Sequence, residues 1–258
     1  MTYAIGIDIG GTGTKAAVVD TTTGRLASAR QRLDTPRPAT PSAVRDTAAT
    51  LLDRLGFLDG FDGPVGVAFP GVVQHGVARS AANIDRSWIG TSLVDLFGDL
   101  LPGPSAYLND ADAAGLAETR YGDARGHHGL VATVTLGTGI GVALVHDGLL
   151  MPNAELGHLE LDGAVAETTT SARSLEESGY DWVTWAARVS RYLQHLEALL
   201  WPDLIVLGGG VSKTPELWFP MLEARTPLRL ATLVNNAGIV GAAHAAAISV
   251  EPVAPAVG

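Results

Sequence analysis

Ala4-Ile5-Gly6-Ile7-Asp8-Ile9-Gly10-Gly11-Thr12-Gly13-Thr14-Lys15-Ala16-Ala17-Val18-Val19 reads as an apolar strand, a Gly/Thr turn and a second apolar strand. The plan returns at Val131-Ala132-Thr133-Val134-Thr135-Leu136-Gly137-Thr138-Gly139-Ile140-Gly141-Val142-Ala143-Leu144-Val145. A glycine turn strips away side chains, so backbone N–H groups can approach a bound group closely while threonine hydroxyls stand beside them. Two such turns facing each other across a cleft make a clamp for a phosphate chain. The duplication therefore points to phosphoryl transfer. A third cluster, Gly208-Gly209-Gly210, ends the short apolar run Leu204-Ile205-Val206-Leu207 and strengthens that reading.

Asp8 closes the first strand, immediately before the turn. A carboxylate there suits a Mg²⁺-bound water while Gly10, Gly11, Thr12, Thr14 and Lys15 cradle phosphates. The same residues also suit a plain hairpin, with glycines for positive φ and an aspartate accepting turn N–H groups. Asn109-Asp110 sits where the short strand Ser105 to Leu108 passes into an Ala-rich helix running toward Tyr121. Either residue suits a helix cap. A carboxylate at the C-terminal end of a strand also faces the crevice where open α/β sheets bind ligands, and the helix N-terminus favours its charged form. Asp110 is thus placed to accept a proton from an attacking hydroxyl. Glu155-Leu156-Gly157-His158 offers a carboxylate and an imidazole to vicinal hydroxyls if the segment is helical. Asn83 and Glu167 are further polar candidates, and His127-His128 reads as loop, with no third metal ligand at a useful spacing.

The composition narrows the classes. With 258 residues, 47% hydrophobic and 17% charged, the chain suits a compact enzyme of one large domain or two lobes and not a disordered chain. No apolar run is long enough to cross a bilayer, and the N-terminus enters a strand without a basic leader, so a cytoplasmic protein is expected. Cysteine is absent, which removes disulfides and thiolate metal sites. The net charge of −10 disfavours a general nucleic-acid binder and requires local positive charge for any polyanionic substrate. Fifteen of the 17 basic residues are Arg, and the two lysines, Lys15 and Lys213, both lie beside glycine turns. A compact ammonium there suits a phosphate oxygen.

Between these landmarks, Arg25 to Leu33 reads as a third extended stretch, and a Pro-rich connection follows through Pro41. Val44, Ala48, Leu51, Leu52 and Leu55 mark a helix by their spacing. Gly63 to Val73 reads as a strand ending at Pro70-Gly71, with a short strand near Val77 and a short helix from Leu93 to Leu100. In the second half, Leu159 to Leu161 suits a short strand. Val189, Leu193, Leu196 and Leu200 form a helical stripe, with Arg188, Arg191 and His195 off it. A last helix spans about Ala237 to Ile248, and Glu251 to Gly258 reads as a frayed tail.

Taken together, Gly6-Ile7-Asp8-Ile9-Gly10-Gly11-Thr12, Asn109-Asp110-Ala111-Asp112-Ala113-Ala114, Leu136-Gly137-Thr138-Gly139-Ile140-Gly141, Glu155-Leu156-Gly157-His158 and Leu207-Gly208-Gly209-Gly210-Val211 resemble the ROK sugar kinases. Ala81-Ala82-Asn83-Ile84-Asp85-Arg86-Ser87-Trp88-Ile89-Gly90, Pro152 to Glu160 and Asn236 to Ala243 are similar to the actinobacterial polyphosphate/ATP-dependent glucokinase branch of that family. The resemblance implies an α/β, two-lobe actin-like ATPase (ribonuclease H-like) fold with an interlobe cleft. Its small lobe would comprise 1–109 plus 238–258 and its large lobe 110–237. It implies transfer of a phosphoryl group from ATP or inorganic polyphosphate, with Mg²⁺, to the 6-hydroxyl of glucose, in a homodimer. Asp110 would be the catalytic base, with Asn83, Asn109, Glu155, His158 and Glu167 on the sugar. Gly10 to Thr12 and Gly137, Thr138 and Gly139 would meet phosphates, with Gly208, Gly209 and Gly210 near the nucleotide.

The sequence departs from the family in two respects. Many ROK proteins carry a Cys-rich zinc motif after the Glu-x-Gly-His segment, and this chain has no cysteine, so no zinc is expected and His158 is left for sugar. The stretches Glu167 to Ser171 and Ser212-Lys213-Thr214 are poorer in lysine than the branch, leaving Lys15, Arg173, Arg188, Arg191 and Lys213 as cations for a polyphosphate. Alternative readings are a kinase for mannose or N-acetylmannosamine, a non-catalytic ROK-type sugar sensor and an actin-like assembly protein. A sensor is expected to carry a helix-turn-helix ahead of the first strand, which here begins at Ala4.

Overall fold

The computed structural model describes residues 3–56, 60–101 and 103–249, and the expected tail from Glu251 lies outside the described residues. The chain divides into two compact units, Met1–Ala113 with Gly238–Gly258, and Ala114–Ala237.

In the first unit, β1 (Tyr3–Ile9) and β2 (Gly13–Asp20) form the opening hairpin. The stretch expected as one strand from Arg25 is instead broken into β3 (Arg25–Leu26) and β4 (Gln31–Asp34), both of which pair with β2. Thr40 caps α1 (Pro41–Arg54), and Pro41 begins it at a position whose N–H would have no helical partner anyway. Its stripe of Val44, Ala48, Leu51 and Leu52 is buried in the core. Next, β5 (Val65–Phe69) stops before Pro70, and the expected continuation to Val73 becomes a separate small hairpin of β6 (Val73–Gln74) and β7 (Val77–Ala78). A short helix α2 (Leu93–Phe97), then β8 (Ser105–Asn109) and α3 (Asp110–Arg120), follow. The sheet order is β3-β2-β1-β5-β8, with β4 also on β2, and β5 and β8 run parallel to β1.

The second unit repeats the design. The hairpin of β9 (Leu130–Leu136) and β10 (Ile140–His146) extends through β11 (Leu149–Met151). A small pair, β12 (Glu160–Leu161) and β13 (Ala164–Val165), leads into the short helices α4 (Ala166–Thr170) and α5 (Ala172–Glu177). The long helix α6 (Trp182–Leu200) buries Val189, Leu193 and Leu196 as its spacing predicts, together with Trp185 and Tyr192. Parallel to β9 runs β14 (Leu204–Gly209), and β15 (Leu228–Leu230) completes the order β11-β10-β9-β14-β15.

The last helix, α7 (Ala237–Ser249), returns to the first unit and lies directly on its sheet. A Cβ on Gly6 would overlap the Ile239 carbonyl, and one on Gly66 would overlap that of Ala242. A Cβ on Gly241 would strike the Ala113 carbonyl, so the start of α3 packs against the same helix. This packing explains why the first unit runs through Ala113 and not only to Asn109.

Candidate active site

In the first unit, backbone register brings three charged side chains into one row. Asp8 on β1 lies opposite Lys15 on β2, and Lys15 lies opposite Arg32 on β4. Directly opposed residues project from the same face of a sheet. Lys15 Nζ donates to Asp8 Oδ2 at 2.9 Å, and both side chains are largely shielded, 25% and 14% exposed. The start of α7 closes on this pair, since a Cβ at Gly238 would lie 2.9 Å from the Asp8 carboxyl carbon.

Hydrogen bonds draw the glycine turn tight. Gly10 N–H donates to the Gly13 carbonyl at 3.2 Å, and the Thr35 hydroxyl donates to the Gly10 carbonyl at 2.5 Å. Thr12 is exposed at the tip. Thr14, expected on the phosphate, is fully buried with its hydroxyl 3.2 Å from that of Thr35, so its side chain braces the turn from behind. Behind Gly11 stands the Asn83 carbonyl, 2.7 Å from where a Cβ would be. The Asn83 loop is fixed by Trp88, whose indole N–H donates to Ala39 and whose ring packs 4.8 Å from Phe69.

Asn109 ends β8 and caps α3. Its buried side-chain oxygen accepts the N–H groups of Ala111 at 2.8 Å and Asp112 at 3.1 Å, while its amide donates to the Gly71 carbonyl at 3.1 Å. These bonds make Asn109 first of all the builder of the strand–helix junction. Asp110 follows as the first residue of α3, half-buried, with Oδ1 accepting the Ala111 N–H at 2.8 Å.

In the second unit the turn Gly137-Thr138-Gly139 is closed by the Gly137 N–H on the Gly139 carbonyl at 3.0 Å. The glycine end of β14 lies alongside it, with Gly208 opposite Thr135 and Gly209 opposite Leu136. Gly209 takes φ +92°, and a Cβ there would overlap the Leu136 carbonyl, so this position admits only glycine. Gly210 to Lys213 form a single 3-10 turn, the Ser212 hydroxyl bonds the Gly209 carbonyl, and Lys213 is exposed. The Arg173 N–H, at the start of α5, donates to the Gly137 carbonyl at 3.2 Å. Of the other expected cations, Arg191 pairs with Asp162, while Arg188 stacks on Tyr180 at 4.6 Å and leaves its buried Nε without a hydrogen-bond partner. Both line a cavity of about 560 Å³ with Thr169, Thr170 and Thr184.

Glu155, His158 and Glu167 meet in this unit. Leu156–His158 is a 3-10 turn, and Gly157 lets it press on the Ile140 carbonyl, where a Cβ would not fit. His158 Nδ1 then lies 3.3 Å from Glu155 Oε2, and its Nε2 lies 3.3 Å from Glu167 Oε1. Glu167 Oε2 accepts the Ile140 N–H at 3.3 Å. One carboxylate therefore joins the His158 cluster to the end of the second glycine turn. The first unit thus carries a bare turn, a carboxylate–ammonium pair and an aspartate at a helix start, and the second a bare turn and a Glu155–His158–Glu167 trio. Among the described residues, no group of three or more His, Cys, Asp or Glu side chains is placed to hold a metal ion. Sequence reasoning missed Arg32 and Thr35, whose places depend on how β4 pairs with β2.

The duplicated hairpin units define an α/β fold of the actin-like ATPase class. The ROK family model matches residues 4–179, and the chain belongs to the ROK family. It is 50% identical over 244 residues to the polyphosphate glucokinase of Mycobacterium tuberculosis, covering 94% of this chain and 91% of that protein. The inorganic polyphosphate/ATP-glucomannokinase of Arthrobacter sp. strain KM superposes with a TM-score of 0.91 at 48% identity, covering 96% of this chain and all of that one, 100%. A ROK family glucokinase from Streptomyces griseus, solved with glucose and AMPPNP, gives a TM-score of 0.81 at 25% identity over 95% of this chain and 99% of its own. No helix among the described residues is long and apolar enough to cross a membrane.

Proposed function

We propose that this protein is a glucokinase that transfers the terminal phosphoryl group of inorganic polyphosphate or ATP to the 6-hydroxyl of glucose, giving glucose 6-phosphate. The observation that carries this reading is the 50% identity over 94% of the chain to a polyphosphate glucokinase. The candidate groups supply the chemistry. Asp110 accepts the proton of the attacking hydroxyl, a role that contributes about 10²–10⁴-fold. Glu155, His158 and Glu167 hold sugar hydroxyls, and Asn109 and Asn83 shape and line the sugar side of the first unit. Backbone N–H groups at Gly11, Thr12, Thr138 and Gly139, on turns closed by the Gly10 and Gly137 N–H groups, grip the phosphates together with Lys15. Gly208, Gly209, Gly210 and Lys213 lie toward the nucleotide.

Mg²⁺ fits this donor set in one mode. Asp8 is a single carboxylate already engaged by Lys15, which suits an ion that keeps most of its waters and takes its remaining oxygens from phosphates. When bound, the ion neutralises charge on the transferring phosphoryl group. The proposal includes a cytoplasmic homodimer, to be checked by light scattering. A coupled glucose 6-phosphate assay, with polyphosphate or ATP and with glucose, mannose or N-acetylmannosamine, tests the whole. Glucose-dependent product from either donor is expected. No product from any pairing would point to a sugar sensor.

A further inference from the structure

Arg32 is the third member of the Asp8–Lys15 row, one strand further out, and it leans over the first glycine turn. Its guanidinium lies where a Cβ on Gly13 would approach within 2.6 Å, and it reaches the Thr12 carbonyl at 3.4 Å. Its ion-pair partner is Asp34, at 2.8 Å. Lys15 is held by Asp8 in a largely shielded pair, whereas Arg32 is 49% exposed and Asp34 84% exposed. An exposed pair contributes little, about 0–1 kcal/mol, so a multiply charged anion can replace Asp34 at small cost. A planar guanidinium also matches phosphate oxygens through two parallel N–H bonds, which an ammonium cannot do. In a chain of net charge −10, a cation free to change partners at a phosphate turn matters for capturing a polyanion.

We propose that Arg32 is a phosphate-binding group of the first glycine turn, gripping with Lys15 the oligophosphate tail shared by polyphosphate and ATP, with Asp34 as its counter-ion in the empty protein. This inference rests on the phosphotransferase reading above.

Inorganic tripolyphosphate and ATP, titrated separately into the full chain by calorimetry at several salt concentrations, provide the test. Arg32→Gln is expected to weaken binding roughly tenfold and to flatten the salt dependence, which loss of turn structure alone would not do. Arg32→Lys should recover part of the affinity. Asp34→Asn should tighten binding about threefold by releasing the guanidinium. Loss for both ligands marks recognition of the shared tail, and loss for tripolyphosphate alone marks recognition of the inorganic chain. Arg32→Gln binding both within twofold of wild type, with an unchanged salt slope, would overturn the inference while wild-type glucose 6-phosphate formation keeps the kinase reading. A wild type that binds neither ligand and forms no product would sink both.

Discussion

Glu167 accepts the backbone N–H of Ile140, so a carboxylate that also touches His158 fixes the residue just after the second glycine turn. The groups proposed to hold sugar and those proposed to hold phosphate in this unit therefore share one side chain. Glu167→Ala is expected to raise the KM for glucose roughly tenfold, through the loss of charge-assisted bonds. Glu167→Gln, which keeps an acceptor for Ile140, should lose less. Equal effects of the two substitutions would show that the bond to Ile140 does not contribute.

Gly137 separates function from folding. A Cβ there meets nothing within 4 Å, and its φ is not in the left-handed region. Gly137→Ala should leave the melting temperature unchanged to within about 1 °C, as for other surface changes. Donor KM should nonetheless rise, because the methyl group would stand where the proposed function has a phosphate approach the backbone. Unchanged donor kinetics would remove this turn from the phosphate site.

Gly66 is the opposite case. Its missing Cβ is what lets α7 lie on β5, since an added methyl would overlap the Ala242 carbonyl. Gly66→Ala should destabilise by about 1–3 kcal/mol, which corresponds to roughly 2–12 °C in melting temperature for a chain of this size. Thermal unfolding followed by circular dichroism measures it.

Glu197 on α6 gives the fold a pH dependence. Burial opposes its ionised form, but the Thr226 N–H and hydroxyl, with the Arg225 backbone and charge, outweigh that and hold its carboxyl below the usual range. Because the folded value lies below the unfolded one, the stabilisation is present above the ordinary value of 4.5 and is lost as pH falls through the folded value. Melting temperatures measured from neutral pH downward should fall below about pH 4.5 in the wild type, and less steeply in Glu197→Gln.

The sequence made the paired hairpins, the β8–α3 junction and α6 legible, because their signals are local: glycine between apolar runs, a cap residue before alanines, and a 3.6-residue stripe. It did not reveal the break between Leu26 and Gln31, since both pieces pair with β2 through a register that no neighbouring residue encodes. Short elements such as α4, α5 and β15 have too few residues for a periodic signal and are set by packing on α6 and β14. The site divides in the same way. Asp8, Asp110 and the glycines stand at turns or helix starts and were readable. The inward hydroxyl of Thr14, the position of Arg32 over Gly13 and the contact of Glu167 with Ile140 are tertiary, and the spacing of letters carries no trace of them.

Asp110 bears the central claim, as the half-buried first residue of α3 immediately after the capping Asn109. The direct measurement is glucose 6-phosphate formation by purified Asp110→Asn beside wild type, with glucose affinity determined in parallel by calorimetry. Turnover lower by about 10²–10⁴-fold with glucose affinity kept within a few-fold is the predicted result. Turnover near that of wild type would contradict the account.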